Sequence, residues 1–144
     1  MNQYADQWVD YELIDTGNKE KLERWNHILL RRPDPVCIWP IQDETQWKKA
    51  DAIYHRSRSG GGQWEMKKPF KEFWTLSYKD LRFKISPTGF KHTGLFPEQA
   101  ANWDFIMNSI RHSKRGQSLA TLPCPALSLV LKIPYQAPHS PVTD

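Results

Sequence analysis

The residues able to do chemistry in this 144-residue chain are concentrated in one stretch. From Lys48 to Lys91 there are eleven Lys or Arg against four acids, Asp51, Glu65, Glu72 and Asp80, whereas the whole chain sets 20 basic residues against 16 acidic ones. A basic excess confined to one segment points to a polyanionic partner more strongly than overall charge does, because it concentrates positive potential on part of the surface. Lys48, Lys49, Arg56, Arg58, Lys67, Lys68 and Lys91 are the candidate phosphate contacts, and nearby aromatic rings could stack on bases. The alternative is a solvated basic face that serves no partner.

Other chemistries find little support. Arg56-Ser57-Arg58-Ser59-Gly60-Gly61-Gly62 is glycine-rich, yet it matches neither the Gly-x4-Gly-Lys-Ser/Thr phosphate loop nor the Gly-x-Gly-x-x-Gly dinucleotide turn. It reads either as a mobile loop whose Arg56 and Arg58 touch a nucleic-acid backbone or as an ordinary flexible connection. His55 and His92 have no cysteine or paired histidine beside them, so no metal site is expected. Cys37 and Cys124 lack the spacing of a zinc site or a disulfide framework, which suits a reducing compartment. The amino terminus has no basic and apolar leader, and no run is long enough to span a bilayer. A soluble, cytoplasmic protein is expected.

These residues need a scaffold, and the sequence predicts an α+β one: a β-rich amino-terminal module with a hairpin, then one helix. The organising stretch is Phe73 to Trp103. Trp74, Leu76 and Tyr78 alternate on one arm and Leu81, Phe83 and Ile85 on the other, joined by Lys79-Asp80. Upstream, Tyr11–Ile14 is a strand candidate followed by an Asp-Thr-Gly-Asn turn. Leu22 and Trp25, three residues apart, predict one or two helical turns over 19–25. His27 to Leu30 and Val36 to Trp39 are short apolar runs closed by prolines, Gln42–Thr45 a loop, Trp47–His55 an edge strand and Gln63–Met66 another strand.

Pro97 suits a helix start, with Glu98 favourably placed in the first turn. The helix should run to about His112, with Ala100, Trp103, Phe105, Ile106, Met107 and Ile110 forming a broad apolar face and Gly116 closing it. The seven tryptophans, Trp103 among them, are expected mostly in the core. From Gln117 onward the prolines at 123, 125, 134, 138 and 141 leave room for one strand at most, within 126–131. The expected division is therefore 1–96, a β-rich module; 97–116, the helix; and 117–144, a Pro-rich tail.

The segment Asp80–Trp103, DLRFKISPTGFKHTGLFPEQAANW, resembles a characteristic segment of bacterial S-adenosylmethionine-dependent ribosomal RNA methyltransferases of the large-subunit cytosine-5 type. The positions that carry the likeness are Leu81, Phe83, Ile85, Gly89, Lys91, Thr93, Gly94, Leu95, Phe96 and Gln99. ADAIYHRSRSGGGQWE and other upstream pieces also look like that family, so the resemblance extends over about residues 10–115. It implies a two-part enzyme, with a β-rich module that helps hold ribosomal RNA and a doubly wound domain that binds S-adenosylmethionine. It places Lys91 and Thr93 near RNA or cofactor, and Phe96 and Gln99 where the family's loop abuts the cofactor.

Where the family has a strand and Gly-rich cofactor turn, this chain has Ser118-Leu119-Ala120-Thr121-Leu122-Pro123-Cys124-Pro125-Ala126. The family's catalytic cysteine has no counterpart, and its role does not pass to Cys124. The resemblance thus implies that the methyltransferase domain is truncated away, through a frameshift, a premature stop or an altered transcript. S-adenosylmethionine would belong to the family but not to this chain alone, and no catalytic residue, metal, membrane contact or DNA specificity is expected. Two further readings stay open: a non-catalytic RNA- or protein-binding module, and a fragment whose unpacked helix face promotes aggregation.

Overall fold

The computed structural model describes residues 6–58, 60–112, 119–122 and 129–132. The chain divides into two compact units, Asp6–Pro97 and a second that holds the long helix.

The first unit is built on a five-stranded sheet in the order β1-β2-β3-β4-β5. Strands β1 (Tyr11–Gly17) and β2 (Glu20–Trp25) form a hairpin whose turn residues, Asn18 and Lys19, both have positive φ (51° and 63°). That is the turn geometry whose twist matches the flanking strands. The register slips between Leu13 and Asp15, a bulge that accommodates Ile14. A second tight turn at Asn26 (φ 59°) leads into β3 (Ile28–Pro33).

The helical turns expected over 19–25 are therefore a strand. Leu22, Glu23 and Trp25 are all fully buried, because β2 is paired on both edges and packed on both faces. A buried carboxylate broke the alternation that would have revealed the strand.

From β3 the chain crosses over through a short helix, α1 (Glu44–Trp47), and returns as β4 (Ala52–Arg56), parallel to β3. Asp43 caps α1 by accepting a hydrogen bond from Thr45 N at 2.9 Å. The edge strand predicted over 47–55 is thus a helix end followed by an interior strand, flanked by β3 and by antiparallel β5 (Gly62–Met66). The alternation of Ala50, Ala52 and Tyr54 was nonetheless meaningful, since all three are buried. The apolar run Val36–Trp39 is loop, with Val36 and Ile38 exposed and Cys37 buried.

Gly17 lies so close to the crossover that a Cβ would stand 2.8 Å from Ile41 N and 2.9 Å from Pro40 C. Asn18 N donates to Trp39 O (2.7 Å) and Lys19 N to Cys37 O (2.6 Å), fastening the crossover onto the first hairpin.

Strands β6 (Trp74–Tyr78) and β7 (Leu81–Ile85) form the predicted hairpin as a separate two-stranded sheet, with Lys79 at φ 52°. All six alternating residues are buried. The loop from 86 to 96 ends at a 3-10 turn, Pro97–Gln99, and α2 (Ala100–Arg111) follows.

On α2, Ala100, Trp103 and Met107 form the buried stripe. Phe105, expected on the same face, is 61% exposed, because two residues along a helix rotate it about 200° away from Trp103. The side chain of Ile110 lies outside the described residues. Beyond it, β8 (Leu119–Leu122) and β9 (Leu129–Lys132) pair antiparallel, where one strand was expected. The remainder of 117–144 lies outside the described residues. Among the described residues no helix is long and apolar enough to cross a membrane.

Candidate nucleic-acid interface

Arg56 and Lys91, thirty-five positions apart, line one small cleft of about 190 Å³ together with Tyr54, Gly61, Phe90 and His92. Three devices hold the loop 88–92 in place there. Arg32 Nη1 donates to Lys91 O at 2.9 Å, Trp64 Nε1 donates to Thr88 O at 2.9 Å, and Tyr54 OH reaches Gly89 O at 3.4 Å. Thr88 Oγ1 also donates to His92 O at 2.6 Å, closing the loop on itself. The cleft therefore has one wall from the sheet and one from a loop tied to it.

Arg32 is the keystone of this arrangement. Only 5% exposed, it pairs in a fork with the fully buried Glu23, Nε to Oε2 at 2.6 Å and Nη2 to Oε1 at 2.8 Å, while stacking on Trp25 at 5.2 Å. Tyr11 OH donates to the same Glu23 carboxylate at 2.9 Å. A guanidinium with donors left over after the fork is what allows one buried side chain to reach the Lys91 carbonyl as well.

Ser57 N donates to Gly61 O at 3.1 Å and Ser57 Oγ to Gly60 O at 2.7 Å, with Gly60 and Gly61 at φ 93° and 69°. These backbone angles are cheap only for glycine. The turn leaves Arg56 and Arg58 exposed, and neither guanidinium has an ion pair among the described residues.

The other predicted contacts are dispersed. Lys48 and Lys49 are exposed at the end of α1, Lys48 lying 3.9 Å from Glu44. Lys67 pairs with Glu65, and Lys68 with Asp51 at 2.6 Å. Hydrogen bonds from Lys67 and His55 hold the Glu65 carboxyl below the usual carboxylate range.

Thr93, expected on the interface, is instead 2% exposed, and its hydroxyl has no hydrogen-bond partner among the described residues. The neighbouring apolar Leu95 is buried with it, which draws the segment inward. Phe96 is half-buried, its ring 5.0 Å from that of His92. Gln99 Oε1 accepts from Asn102 Nδ2 at 2.9 Å.

Among the described residues, no group of three or more His, Cys, Asp or Glu could hold a metal. The buried Cys37 has its thiol pushed up by burial and by the nearby Asp34, which disfavours the thiolate. The described residues do not fit a cradle for S-adenosylmethionine. None of them forms a parallel strand running through a glycine turn into a helix, and Gln99 is engaged within its own turn.

Sequence reasoning missed Phe90, which is 65% exposed at the mouth of the cleft, and the role of Arg32. A lone aromatic between Gly89 and Lys91 was an available signal for the first; nothing local marks the second.

The chain is similar in sequence and structure to a SAM-dependent methyltransferase. A solved structure from Agrobacterium tumefaciens, a SAM-dependent methyltransferase, matches with 33% sequence identity and a TM-score of 0.71. The match covers 76% of this chain and 36% of that protein, so the chain corresponds to about a third of the enzyme it resembles. No protein-family model and no curated protein matches the chain.

Proposed function

We propose that the chain is the RNA-holding part of a SAM-dependent RNA methyltransferase, of the large-subunit ribosomal cytosine-5 type that its loop motif resembles. The observation that carries this reading is the cleft where Arg56, Lys91 and the exposed Phe90 meet beside the turn at 57–61. Two cations with no ion pair among the described residues can hold phosphates, and an exposed ring beside them can take an unstacked base, the combination that single-stranded RNA binding needs. Lys48, Lys49, Arg58, Lys67 and Lys68 are assigned as further phosphate contacts along the strand, the last two after exchanging an acid for a phosphate. Phe96 and Gln99 are assigned to the neighbourhood of the cofactor in the whole enzyme.

In that enzyme S-adenosylmethionine supplies the methyl group, while the work of this part is to bind and orient the RNA. Non-catalytic RNA binding alone is the second reading, favoured by the same cleft.

The test is a binding isotherm for a ribosomal RNA hairpin and a single strand of equal length, at about 50 and 200 mM salt. The reading expects binding that weakens steeply with salt, with a log–log slope reduced by roughly one in Arg56→Ala and in Lys91→Ala. Absence of binding at the lower salt would sink it.

A further inference from the structure

A second and larger depression lies away from the cleft, between the turn joining β2 to β3 and the connector from β5 to β6. Its volume is about 570 Å³, within the range that encloses a nucleotide-sized ligand. One side is formed by Asn26, His27, Ile28 and Asp51, the other by residues 68–71 and 73–75. Asn26 Nδ2 donates to Thr75 O at 3.3 Å, bridging the two sides.

The lining has two complementary characters. Phe70, Phe73 and Trp74 supply aromatic surface, with Phe70 and Trp74 set edge to face at 5.7 Å and Phe73 46% exposed. Lys68, Lys71 and His27 supply positive or ionisable groups. The one acid, Asp51, is already committed: its carboxylate accepts from Leu29 N at 2.8 Å and from Lys68 Nζ at 2.6 Å. Lys71 and His27 have no ion pair among the described residues. Trp74 is 5% exposed and its indole N–H has no hydrogen-bond partner among the described residues, which leaves a donor in the wall of this depression.

Aromatic surface bordered by lysines, with its only carboxylate neutralised from within, matches a ligand that is planar at one end and anionic at the other. The geometry points to a base-holding subsite for RNA: one unpaired nucleotide stacks on Phe70 and Phe73 while its phosphate meets Lys71 and the Lys68 ammonium. This inference rests on the RNA-holding reading above and adds a site separate from the Arg56–Lys91 cleft. Stacking is sequence-tolerant, so the subsite would tether a strand rather than read its sequence.

The test uses the full chain, a 12-nucleotide single-stranded RNA, uridine 5′-monophosphate and inorganic phosphate as probes. Phe73→Ala should weaken RNA binding by about five- to a hundredfold, the range for loss of one stacked base. Lys71→Ala should weaken it less and lower the salt slope by about 0.7. Both side chains are exposed, so unchanged thermal unfolding is expected for each. Uridine monophosphate should perturb the ring signals of Phe70 and Phe73 in NMR spectra, and phosphate alone should not.

If the wild-type chain binds the RNA, and Arg56→Ala and Lys91→Ala weaken it while Phe73→Ala and Lys71→Ala do not, the subsite is overturned and the broader reading stands. If the wild type fails to bind at low salt, both fall. Equal ring perturbation by phosphate alone would also overturn the stacking role.

Discussion

Replacing Arg32 by methionine tests whether the buried Arg32–Glu23 fork both stabilises the sheet and positions the cleft. Glu23 is fully buried, and without the guanidinium its carboxylate keeps only the Tyr11 hydroxyl and the Lys21 ammonium at 3.4 Å. Removing one member of a buried pair costs about 3–5 kcal/mol, a large share of the roughly 5–15 kcal/mol that stabilises a domain. With a urea m-value of about 1.5 kcal/mol/M, the unfolding midpoint of Arg32→Met should fall by about 2–3 M.

Tryptophan fluorescence against urea is a suitable readout, since four of the seven indoles are buried. The double variant Glu23→Leu with Arg32→Met should recover most of the loss, because no charge is then left unpaired. It should not recover RNA affinity, since the Lys91 carbonyl still lacks its donor and the loop 88–92 its tie to β3. A loss below about 1 kcal/mol in the single variant would refute the reasoning, as would equal RNA affinity in the wild type and the stable double variant.

Two other perturbations follow from local geometry. Gly17→Ala places a methyl group within 2.9 Å of the Ile41 and Pro40 backbone, which cannot yield as a side-chain tip would. A stability loss of about 1–3 kcal/mol is expected in urea titration, and a neutral result would mean the crossover is not seated on the hairpin. For Asp15, burial pushes the carboxyl up but is outweighed by hydrogen bonds from the Trp47 indole (2.7 Å) and from backbone at Thr16, Gln42 and Asp43, so its pKa lies below the ordinary value. Its contribution to stability is therefore present above the unfolded pKa of about 3.9 and lost as pH falls through the lower folded value. Thermal unfolding from pH 6 to 2 should show a steeper acid limb in the wild type than in Asp15→Asn; superimposable limbs would contradict this.

What the sequence disclosed depended on how local the determining contacts were. The hairpin at 74–85 was legible because both arms bury alternate residues and its turn is two residues long. Strand β2 was misread as helix because Leu22 and Trp25 match a helical offset while the buried Glu23 answers to Arg32, nine residues away. Asp43 followed by Glu44 did carry the start signal of α1, but the apolar alternation of Ala50, Ala52 and Tyr54 dominated the reading. In the site, basic residue types were visible, whereas the meeting of Arg56 with Lys91 required the sheet. The inward turn of Thr93 was likewise invisible, since no residue adjacent to it distinguishes a buried hydroxyl from a surface one.

The central claim is that RNA lies in the cleft between β4 and the loop 88–92. Photo-crosslinking of a ribosomal RNA fragment carrying 4-thiouridine, with mass-spectrometric mapping of the attached peptides, tests it most directly. The account predicts crosslinks within the peptides that contain Tyr54–Gly61 and Thr88–His92, lost on adding excess unlabelled RNA and reduced in Arg56→Ala. Specific crosslinks that avoid both peptides, or none at low salt, would contradict it.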